Sequence, residues 1–447
     1  MNGERTRAAP ATGAERRRSI VETQTKLPPM PGLSGPEKKR FMNGTHRTAS
    51  PEETLDRIKG FMPAMGITRI ANVTGLDAIG IPVVVVCRPN SRSLSVSQGK
   101  GLTLAAAKVS GLMESIEAYH GENIVRPLLL GSSRELRRSH AIADVSALPR
   151  TSSVPFDEDT PLLWAEGYDL MRGAPVWVPY ELVHVNATAT GRVNPGIFCC
   201  STNGLSSGNG LLEAVSYGIC EVVERDATAV WGALTDEERD ARRLDLDSID
   251  DPGCREVLAK FAAAGVAVGA WETTSDVGIP SYECLIAERT EDAVRALHGS
   301  GGQGCHPSRA VALLRALTEA AQTRLTVISG ARDDLLRAEY DRHRSPDQVR
   351  HVRRLLTARG ERPFSAGPTF AGDTFEDDVA WQLERLRAVG IDSVVAFDLT
   401  KPEFGIPVVK IVIPGLEGIH SFPNYIPGRR FRRALERRSA VSVKEIA

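Results

Sequence analysis

Hydrophobic residues recur with a helical period in four segments of the chain. In each segment the apolar positions fall three or four residues apart, which is typical of a helix with one buried face. The pattern predicts helices at about 101–121, 210–232, 309–330 and 376–389. The fourth helix leads directly into a β-rich run, DSVVAFDLT, at 392–400.

Three further β-rich runs begin with the same phrase, Gly-Ile-Pro. Proline is tolerated at the first position of a strand, so each phrase predicts a turn followed by a strand. The copies indicate either an internal repeat or a coincidence of turn chemistry. Strands and helices do not follow the regular strand–helix alternation of a doubly wound sheet, which favours an α+β fold. The three runs lie at 80–90, 278–289 and 405–415.

Polar residues gather on one face of each of the first three helices. At 100° per residue, the first two sets fall within arcs of about 60° and 80°, and the opposite faces are apolar. The sets are Ser110, Glu114 and Glu117; Glu213, Glu221 and Glu224; and Arg315, Glu319 and Gln322.

These acidic faces are either solvated surfaces or a site. A solvated face normally mixes lysine with glutamate, yet on the first two helices the only Lys or Arg four residues after a clustered glutamate is Arg225. Carboxylates this close repel each other unless a divalent cation neutralises them, and Mg²⁺ accepts oxygen ligands of this kind. Because Mg²⁺ usually also binds substrate phosphates, the pattern points to a nucleotide triphosphate.

Composition excludes several other classes of protein. The formal net charge of -1 gives no electrostatic reason to bind nucleic acid or a membrane surface. No apolar run approaches the roughly 20 residues that span a bilayer, and the N-terminus has no apolar signal segment. Seven cysteines without a C-x-x-C motif indicate free thiols in the cytoplasm.

Three regions follow from composition. Residues 1–45 are rich in Arg, Pro, Gly and Thr and predict a disordered, basic-leaning tail. Ordered structure is expected from Ser50, an N-cap candidate, and the main domain is predicted at 46–425. Residues 426–447 contain GRRFRRALERR and predict a basic C-terminal helix or tail.

The chain has no conventional phosphate-binding loop. SQGKGLT at 97–103 lacks the upstream glycine of the G-x-x-x-x-G-K-[ST] motif, and no G-x-G-x-x-G follows a strand. Any ATP would therefore bind at the acidic faces.

Several ordered motifs resemble the YcaO-domain family. The resemblance covers roughly residues 45–425 and rests on the segments 68–122, 201–227, 304–325 and 396–418. It implies a YcaO-type fold, with mixed sheets and helices that line a central ATP site. It also implies that Mg²⁺ is held by glutamates and that ATP phosphorylates a backbone amide oxygen.

The family's motifs transfer to this chain residue by residue. They imply catalytic roles for Glu221, Glu224 and Arg225, and Mg²⁺ ligation by Glu114, Glu117, Glu221 and Glu224. The implied ATP-binding residues are Arg47, Thr54, Ser110, Glu114, Glu117, Asn209, Glu213, Gln322 and Arg324.

Three departures from the family pattern matter. Ala118 follows Glu117 where an arginine is common, and helical geometry turns Arg324 away from Glu319 and Gln322. The chain ends SAVSVKEIA, whereas azoline-forming members typically end in P-x-P-x-P. It looks instead like the subgroup found with TfuA-like partners, which is linked to peptide thioamidation.

The resemblance therefore implies an enzyme that installs a thioamide in a peptide or protein. Its implied partners are the peptide substrate, a TfuA-like protein and a sulfide source, and a homodimer is the default assembly. Two alternatives stay open: cyclodehydration of Cys, Ser or Thr side chains to azolines, and a non-catalytic ATP-binding accessory role.

Overall fold

The computed structural model describes residues 36–188, 195–289, 299–343 and 345–446. Its helices are α1 (Pro51–Ile58), α2 (Leu104–Glu122), α3 (Ser133–Leu136), α4 (Leu211–Gly232), α5 (Asp236–Asp240), α6 (Pro252–Ala263), α7 (Arg309–Ser329), α8 (Arg337–His343), α9 (Pro346–Thr357), α10 (Phe375–Ala388) and α11 (Arg429–Ile446). The four helices predicted from periodicity are α2, α4, α7 and α10.

The strands of the described residues are β1 (Arg69–Asn72), β2 (Val83–Cys87), β3 (Val96–Lys100), β4 (Leu128–Gly131), β5 (Arg150–Thr151), β6 (Leu162–Asp169), β7 (Ala174–Pro179), β8 (Leu205–Ser207), β9 (Val266–Glu272), β10 (Ser281–Glu288), β11 (Ser300–Cys305), β12 (Val395–Asp398), β13 (Val408–Val412) and β14 (Tyr425–Ile426). All strand pairs are antiparallel, and the α+β class is confirmed.

The strands form four sheets. Two have three strands, ordered β1–β2–β3 and β11–β10–β9. A six-stranded sheet runs β4–β6–β12–β13–β8, with β7 also paired to β6, and β14 pairs with β5. The larger sheets carry the long helices, and apolar side chains between these layers form the buried cores.

The Gly-Ile-Pro phrase marks the same turn in all three places. Gly80, Gly278 and Gly405 have φ values of 72°, 75° and 61°, a left-handed conformation that glycine adopts without a Cβ penalty. Each turn leads into the middle strand of a three-stranded unit: β1–β2–β3, β9–β10–β11 or β12–β13–β8. The internal repeat is therefore present, and in its third copy β8 precedes the other two strands in the chain.

The proline of each phrase is hydrogen-bonded to the segment that leads into one of the three long helices. Its carbonyl oxygen accepts a backbone N–H just beyond the outer strand: Gly101 to Pro82 at 3.3 Å, His306 to Pro280 at 3.1 Å and Gly208 to Pro407 at 3.1 Å. Two residues after each donor comes a helix N-cap: Thr103 for α2, Ser308 for α7 and Gly210 for α4. The three helices thus start at equivalent points of the repeat.

The acidic positions repeat with the same spacing from these N-caps. A glutamate lies eleven residues after each N-cap, and a second acid or amide follows three residues later. The pairs are Glu114 and Glu117 in α2, Glu221 and Glu224 in α4, and Glu319 and Gln322 in α7. Each helix also packs on an outer strand of another copy: α2 on β8, α4 on β11 and α7 on β3. This cyclic arrangement brings the three acidic faces together.

The predicted end of the N-terminal tail, at residue 45, is too late. Residues 1–35 lie outside the described residues. Glu37, however, accepts the N–H groups of Leu212 (3.1 Å) and Glu213 (2.9 Å) at the start of α4. Lys39 forms an ion pair with the buried Asp378 at 2.7 Å. The segment 36–45 therefore packs with the domain, ahead of the capping box that Ser50 forms with Glu53.

The C-terminal helix α11 docks on α4 through its first turn. The Arg430 guanidinium donates to the buried Asp226 at 2.7 Å and also binds Asp276. The Glu417 carboxylate accepts the N–H groups of Gly428 (2.8 Å) and Phe431 (2.9 Å), which caps the helix. None of the helices in the described residues combines the length and apolar character of a bilayer span.

Candidate active site

Five glutamates from α2, α4 and α7 lie within electrostatic range of one another at the centre of the repeat. Two belong to α2, two to α4 and one to α7, and they occupy the positions that the repeat makes equivalent. They are Glu114, Glu117, Glu221, Glu224 and Glu319. The structure therefore brings the acidic faces of α2 and α4 together and places Glu319 of α7, which had no assigned role, beside them.

Glu117 is the most perturbed of these acids. Burial, helped by the charges of Glu221 and Glu114, raises the pKa of Glu117 to about 8. The shift persists although the Ser207 N–H (2.8 Å) and hydroxyl (2.6 Å) both donate to this carboxylate. Ionised glutamate at this position is therefore costly unless a cation accompanies it.

The two glutamates of α4 behave in the same way. Burial raises the pKa of Glu221 to about 7, and Glu224 adds to the shift, while Arg225 opposes it. Burial also raises the pKa of Glu224, which is 4% exposed. Arg225 approaches Glu224 only to 3.8 Å and turns its other nitrogen to Gln303 at 3.1 Å.

Glu114 and Glu319 occupy equivalent positions, but their pKa values shift in opposite directions. Each accepts a backbone N–H from its own outer strand: Gln98 to Glu114 at 2.8 Å and Gln303 to Glu319 at 3.3 Å. Glu114 opens to the cleft, yet surrounding protein raises its pKa. Burial also opposes ionisation of Glu319, but Lys100, at 2.7 Å, and Arg225 outweigh it and lower the pKa.

The protein's own cations reach this centre from several elements. Lys100 comes from β3, Arg225 from α4, Arg315 from α7 and Lys410 from β13. They leave the pKa of four of the five glutamates raised, so negative charge is incompletely compensated. A set of hard carboxylate oxygens with this deficit fits Mg²⁺, which would remove both the repulsion and the tendency to bind protons.

A second polar cluster lies at the start of α4 and contains the predicted residues Arg47, Thr54, Asn209 and Glu213. Arg47 donates to Glu213 at 3.0 Å, and its guanidinium stands 3.9 Å above the Tyr217 ring. The Thr54 hydroxyl donates to the Asn209 side chain at 3.0 Å. Glu213 and Glu221 are eight residues apart on α4, or about 12 Å along the axis, which is a span suited to an extended nucleotide.

Beneath Arg47, three buried polar atoms lie within 4.8 Å of one another, on His46, His306 and Asp378. They do not form a convincing metal site. The Ser308 N–H donates to His306 Nδ1 at 3.0 Å, so in the neutral ring Nε2 carries the proton and cannot bind a metal. Burial lowers the pKa of both histidines, to about 4 for His46. The two histidines support Tyr217, whose ring lies 5.6 Å from that of His306 and whose hydroxyl donates to the His46 carbonyl oxygen at 2.9 Å, while Asp378 pairs with Lys39.

One predicted binding residue lies outside the site. Arg324 donates to Asp77 (3.3 Å) and Glu288 (2.7 Å), on the side of α7 away from Glu319. The assignment of Arg324 to ATP binding therefore has no support from its position, as helical geometry indicated. Gln322 does face the site and donates to Gln98 at 3.3 Å. Ser110 lies on the glutamate face of α2, one turn before Glu114.

Sequence reasoning missed three cations and an acid. Arg315 and Glu319 stood on the polar face of α7 without an assigned role, and their spacing from the N-cap would have matched them to the site. Lys100 lies in SQGKGLT, a segment that lacks the glycine spacing of a phosphate-binding loop and therefore gave no sign of a role. Lys410 is alone in the apolar strand VVKIV, and no local signal relates it to the glutamates.

Glu117→Gln is expected to stabilise the ligand-free protein at pH 8 but not at pH 5. A carboxyl whose folded pKa is raised from 4.5 to about 8 costs stability above pH 4.5, and the cost grows until pH 8. Glutamine avoids this cost, so melting curves should show a gain of about 1–3 °C at pH 8 only. An equal gain at both pH values would contradict the raised pKa. ATP with Mg²⁺ should stabilise the wild type more than the variant.

Comparison with known proteins agrees with this geometry. Residues 98–417 match the family model described as YcaO cyclodehydratase, ATP- and Mg²⁺-binding. A relative from Rhizobium leguminosarum bv. trifolii is 35% identical over 378 residues, which cover 83% of this chain and 88% of the relative. It is described as an uncharacterized protein in the tfuA 3′ region. An uncharacterized protein from Methanothermobacter thermautotrophicus is 33% identical over 86% of this chain and 98% of its own.

Solved structures show the same fold. A heterocyclase in complex with substrate and cofactor superposes with a TM-score of 0.74 at 21% identity, over 90% of this chain and 56% of that longer chain. YcaO from Methanopyrus kandleri, bound with AMPPCP and Mg²⁺, gives a TM-score of 0.68 at 21% identity, over 87% and 96% of the two chains. With the family model matching most of the domain and several relatives above 30% identity, the chain belongs to the YcaO family, whose cofactors are ATP and Mg²⁺.

Proposed function

We propose that this protein activates a peptide backbone amide with ATP and directs its conversion to a thioamide. The observation that carries the proposal is the central cluster of five glutamates with four of their pKa values raised, because it is built to hold metal-bound phosphate. The family description supports the ATP-dependent part. The relative described by its place in the tfuA 3′ region supports the thioamide product.

The reaction addresses the weakness of an amide as a substrate. Hydrosulfide adds to the carbonyl carbon, and the C=O electrons move to oxygen. This oxyanion takes the γ-phosphoryl group, and the bond to ADP breaks. Loss of phosphate and of the sulfur-bound proton then forms C=S. The balance is amide, HS⁻ and ATP to thioamide, ADP and HPO₄²⁻.

The chain's residues divide this work between two ends of α4. Glu114, Glu117, Glu221 and Glu224 would hold Mg²⁺, which when bound neutralises charge on the transferred phosphoryl group. Arg225 lies beside Glu224 and would orient that group. At the other end Asn209, with Arg47 and Thr54 beside it, would orient the ribose or phosphates, while Glu213 holds Arg47 in place.

Cyclodehydration is the alternative that shares this ATP site. Its nucleophile is a Cys, Ser or Thr side chain of the substrate, so the two reactions differ in product mass. We favour the thioamide because of the relative from the tfuA 3′ region. We also propose a TfuA-like partner that supplies sulfide, a homodimeric assembly and a cytoplasmic reaction, in keeping with seven free cysteines.

Mass spectrometry of a peptide treated with the protein, ATP, Mg²⁺ and sulfide tests the proposal. Exchange of amide oxygen for sulfur should add about 16 Da, and infrared or ultraviolet absorption should show the thioamide. A loss of about 18 Da would instead show azoline formation. No mass change with any peptide encoded beside the gene, together with unchanged ATP binding, would favour the accessory role.

A further inference from the structure

The repeat places an arginine directly after the acidic pair of α4 but not after that of α2. In α4, Arg225 follows the second acid, fifteen residues after the N-cap. The equivalent position of α2, fifteen residues after its own N-cap, is Ala118, and α2 contains no arginine. Residue 118 lies one turn beyond Glu114 on the same face of the helix. The acidic pair of α2 therefore lacks a cation that its own helix could have supplied.

Arg332 comes to this position from the loop that follows α7. The Asp333 carboxylate accepts the Ser95 N–H at 3.2 Å, which holds the loop against the segment before β3. Ser95 lies between two residues of that segment whose N–H groups donate to glutamates of α2. They are Gln98, which donates to Glu114 at 2.8 Å, and Ser93, which donates to Glu122 at 2.9 Å. Residue 118 is midway between these two glutamates, so the loop stands opposite Ala118.

The charge of Arg332 already acts on the acidic centre. Burial raises the pKa of Glu114, and Arg332 is among the groups that oppose this shift. The Arg332 guanidinium itself binds the Asp334 carboxylate, with Nε donating to Oδ1 at 2.7 Å. Both side chains of this ion pair are partly exposed, by 33% and 40%. A pair this exposed contributes little, so another anion can replace Asp334 at small cost.

The position of Arg332 along the centre indicates which part of the nucleotide it faces. The N-cap end of α4, with Asn209 and Arg47, is the proposed site of the ribose end. Ala118 and Arg225 both follow the second acid of their helices, at the end of the centre away from the N-caps. Arg332, opposite Ala118, therefore lies nearer to the transferred phosphoryl group than to the ribose. A guanidinium can bind phosphate through two parallel N–H bonds, as it binds a carboxylate.

We propose that Arg332 binds the γ-phosphate of ATP from the α2 side of the centre, as the counterpart of Arg225 on α4. The inference rests on the ATP-dependent part of the proposed function and holds for a thioamide or an azoline product alike. The two arginines would together neutralise phosphoryl charge that Mg²⁺ leaves uncompensated. Because ADP lacks this group, Arg332 should also make the protein prefer ATP to ADP.

Isothermal titration calorimetry with Mg²⁺ and AMPPCP, and separately with Mg²⁺ and ADP, tests the inference. Arg332→Gln is expected to raise Kd for AMPPCP about tenfold or more, while Kd for ADP changes by less than about threefold. Arg332→Lys keeps the charge without the two-bond geometry and should recover part of the affinity. Arg337→Gln is the matched control, because Arg337 is 94% exposed and also pairs with an aspartate, Asp341. Circular dichroism checks folding, and Arg332→Met replaces the glutamine variant if that protein does not fold.

Asp334→Asn separates a phosphate contact from a structural role of the ion pair. It breaks the same pair but keeps Arg332, so Kd for AMPPCP should stay at the wild-type value or fall. A rise as large as that of Arg332→Gln would show that the pair only holds the loop, and the inference would be wrong. Equal weakening of AMPPCP and ADP binding by Arg332→Gln would also overturn it. If the wild type binds neither nucleotide, the ATP-dependent part of the proposed function fails instead.

Discussion

Glu224→Gln is expected to lower the rate of amide modification by about a thousandfold or more while the protein stays folded. Glutamine has the shape of glutamate but not its charge, so the variant loses an anionic ligand for Mg²⁺ and leaves the transferred phosphoryl charge uncompensated. Glu221→Gln should behave in the same way. Single-turnover formation of the modified peptide, measured by mass spectrometry, gives the rate independently of product release.

The melting temperatures of the two glutamine variants check this prediction. Both glutamates have raised pKa values in the ligand-free protein, so neutral glutamine relieves repulsion and should not lower the melting temperature. Glu283→Gln is a matched control, because burial raises the pKa of Glu283 as well although it lies on β10 outside the cluster. If the control loses as much activity as Glu224→Gln, or if both α4 variants modify peptide at the wild-type rate, the catalytic assignment is wrong.

Gly99→Ala is expected to reduce both stability and Mg²⁺-ATP binding. A Cβ at Gly99 would lie 2.0 Å from the Ala107 carbonyl oxygen and 2.2 Å from the Gly111 nitrogen, both in the backbone of α2. Backbone cannot rotate away as a side chain can, so α2 has to move off β3 and carry Glu114 with it. We expect a loss of about 3 kcal/mol in the free energy of unfolding, measured with urea.

Two further glycine variants test whether the effect comes from the close contact between strand and helix. Gly304 is the equivalent position in the second copy of the repeat, where a Cβ would lie 2.1 Å from the Ala312 carbonyl oxygen. Gly304→Ala should therefore show a similar loss by displacing α7. Gly60→Ala, with no atom within 4 Å of the added carbon, should be tolerated. If Gly99→Ala kept full stability and ATP binding, the close contact of β3 with α2 would not position the site.

Local rules accounted for the elements that carry the site. The periodicity of apolar residues gave α2, α4, α7 and α10, because a helix buries one face whatever its neighbours are. The Gly-Ile-Pro phrases gave β2, β10 and β13, because glycine and proline restrict the backbone locally. The N-terminal boundary was misjudged, since Glu37 is held by N–H groups of α4, a partner that is distant in the chain.

The acidic centre shows the limit of such reasoning. Helical spacing placed Glu221 and Glu224 on one face, and the resemblance supplied their role. The spacing could not show that α7 completes the ring, because that depends on the cyclic packing of the repeat. It also could not identify the counter-charges, since Lys100 and Lys410 reach the glutamates from strands.

By itself, the sequence determined which helices carry acids, on which face, and that these acids need a cation, because charge and helical period are properties of neighbouring residues. Only the tertiary structure decided which charges meet. It gave Arg324 its partners, Asp77 and Glu288, and it buried Lys410 beside Glu221. Electrostatic energy depends on distance and burial in space, and these follow from packing between segments that are far apart in the chain.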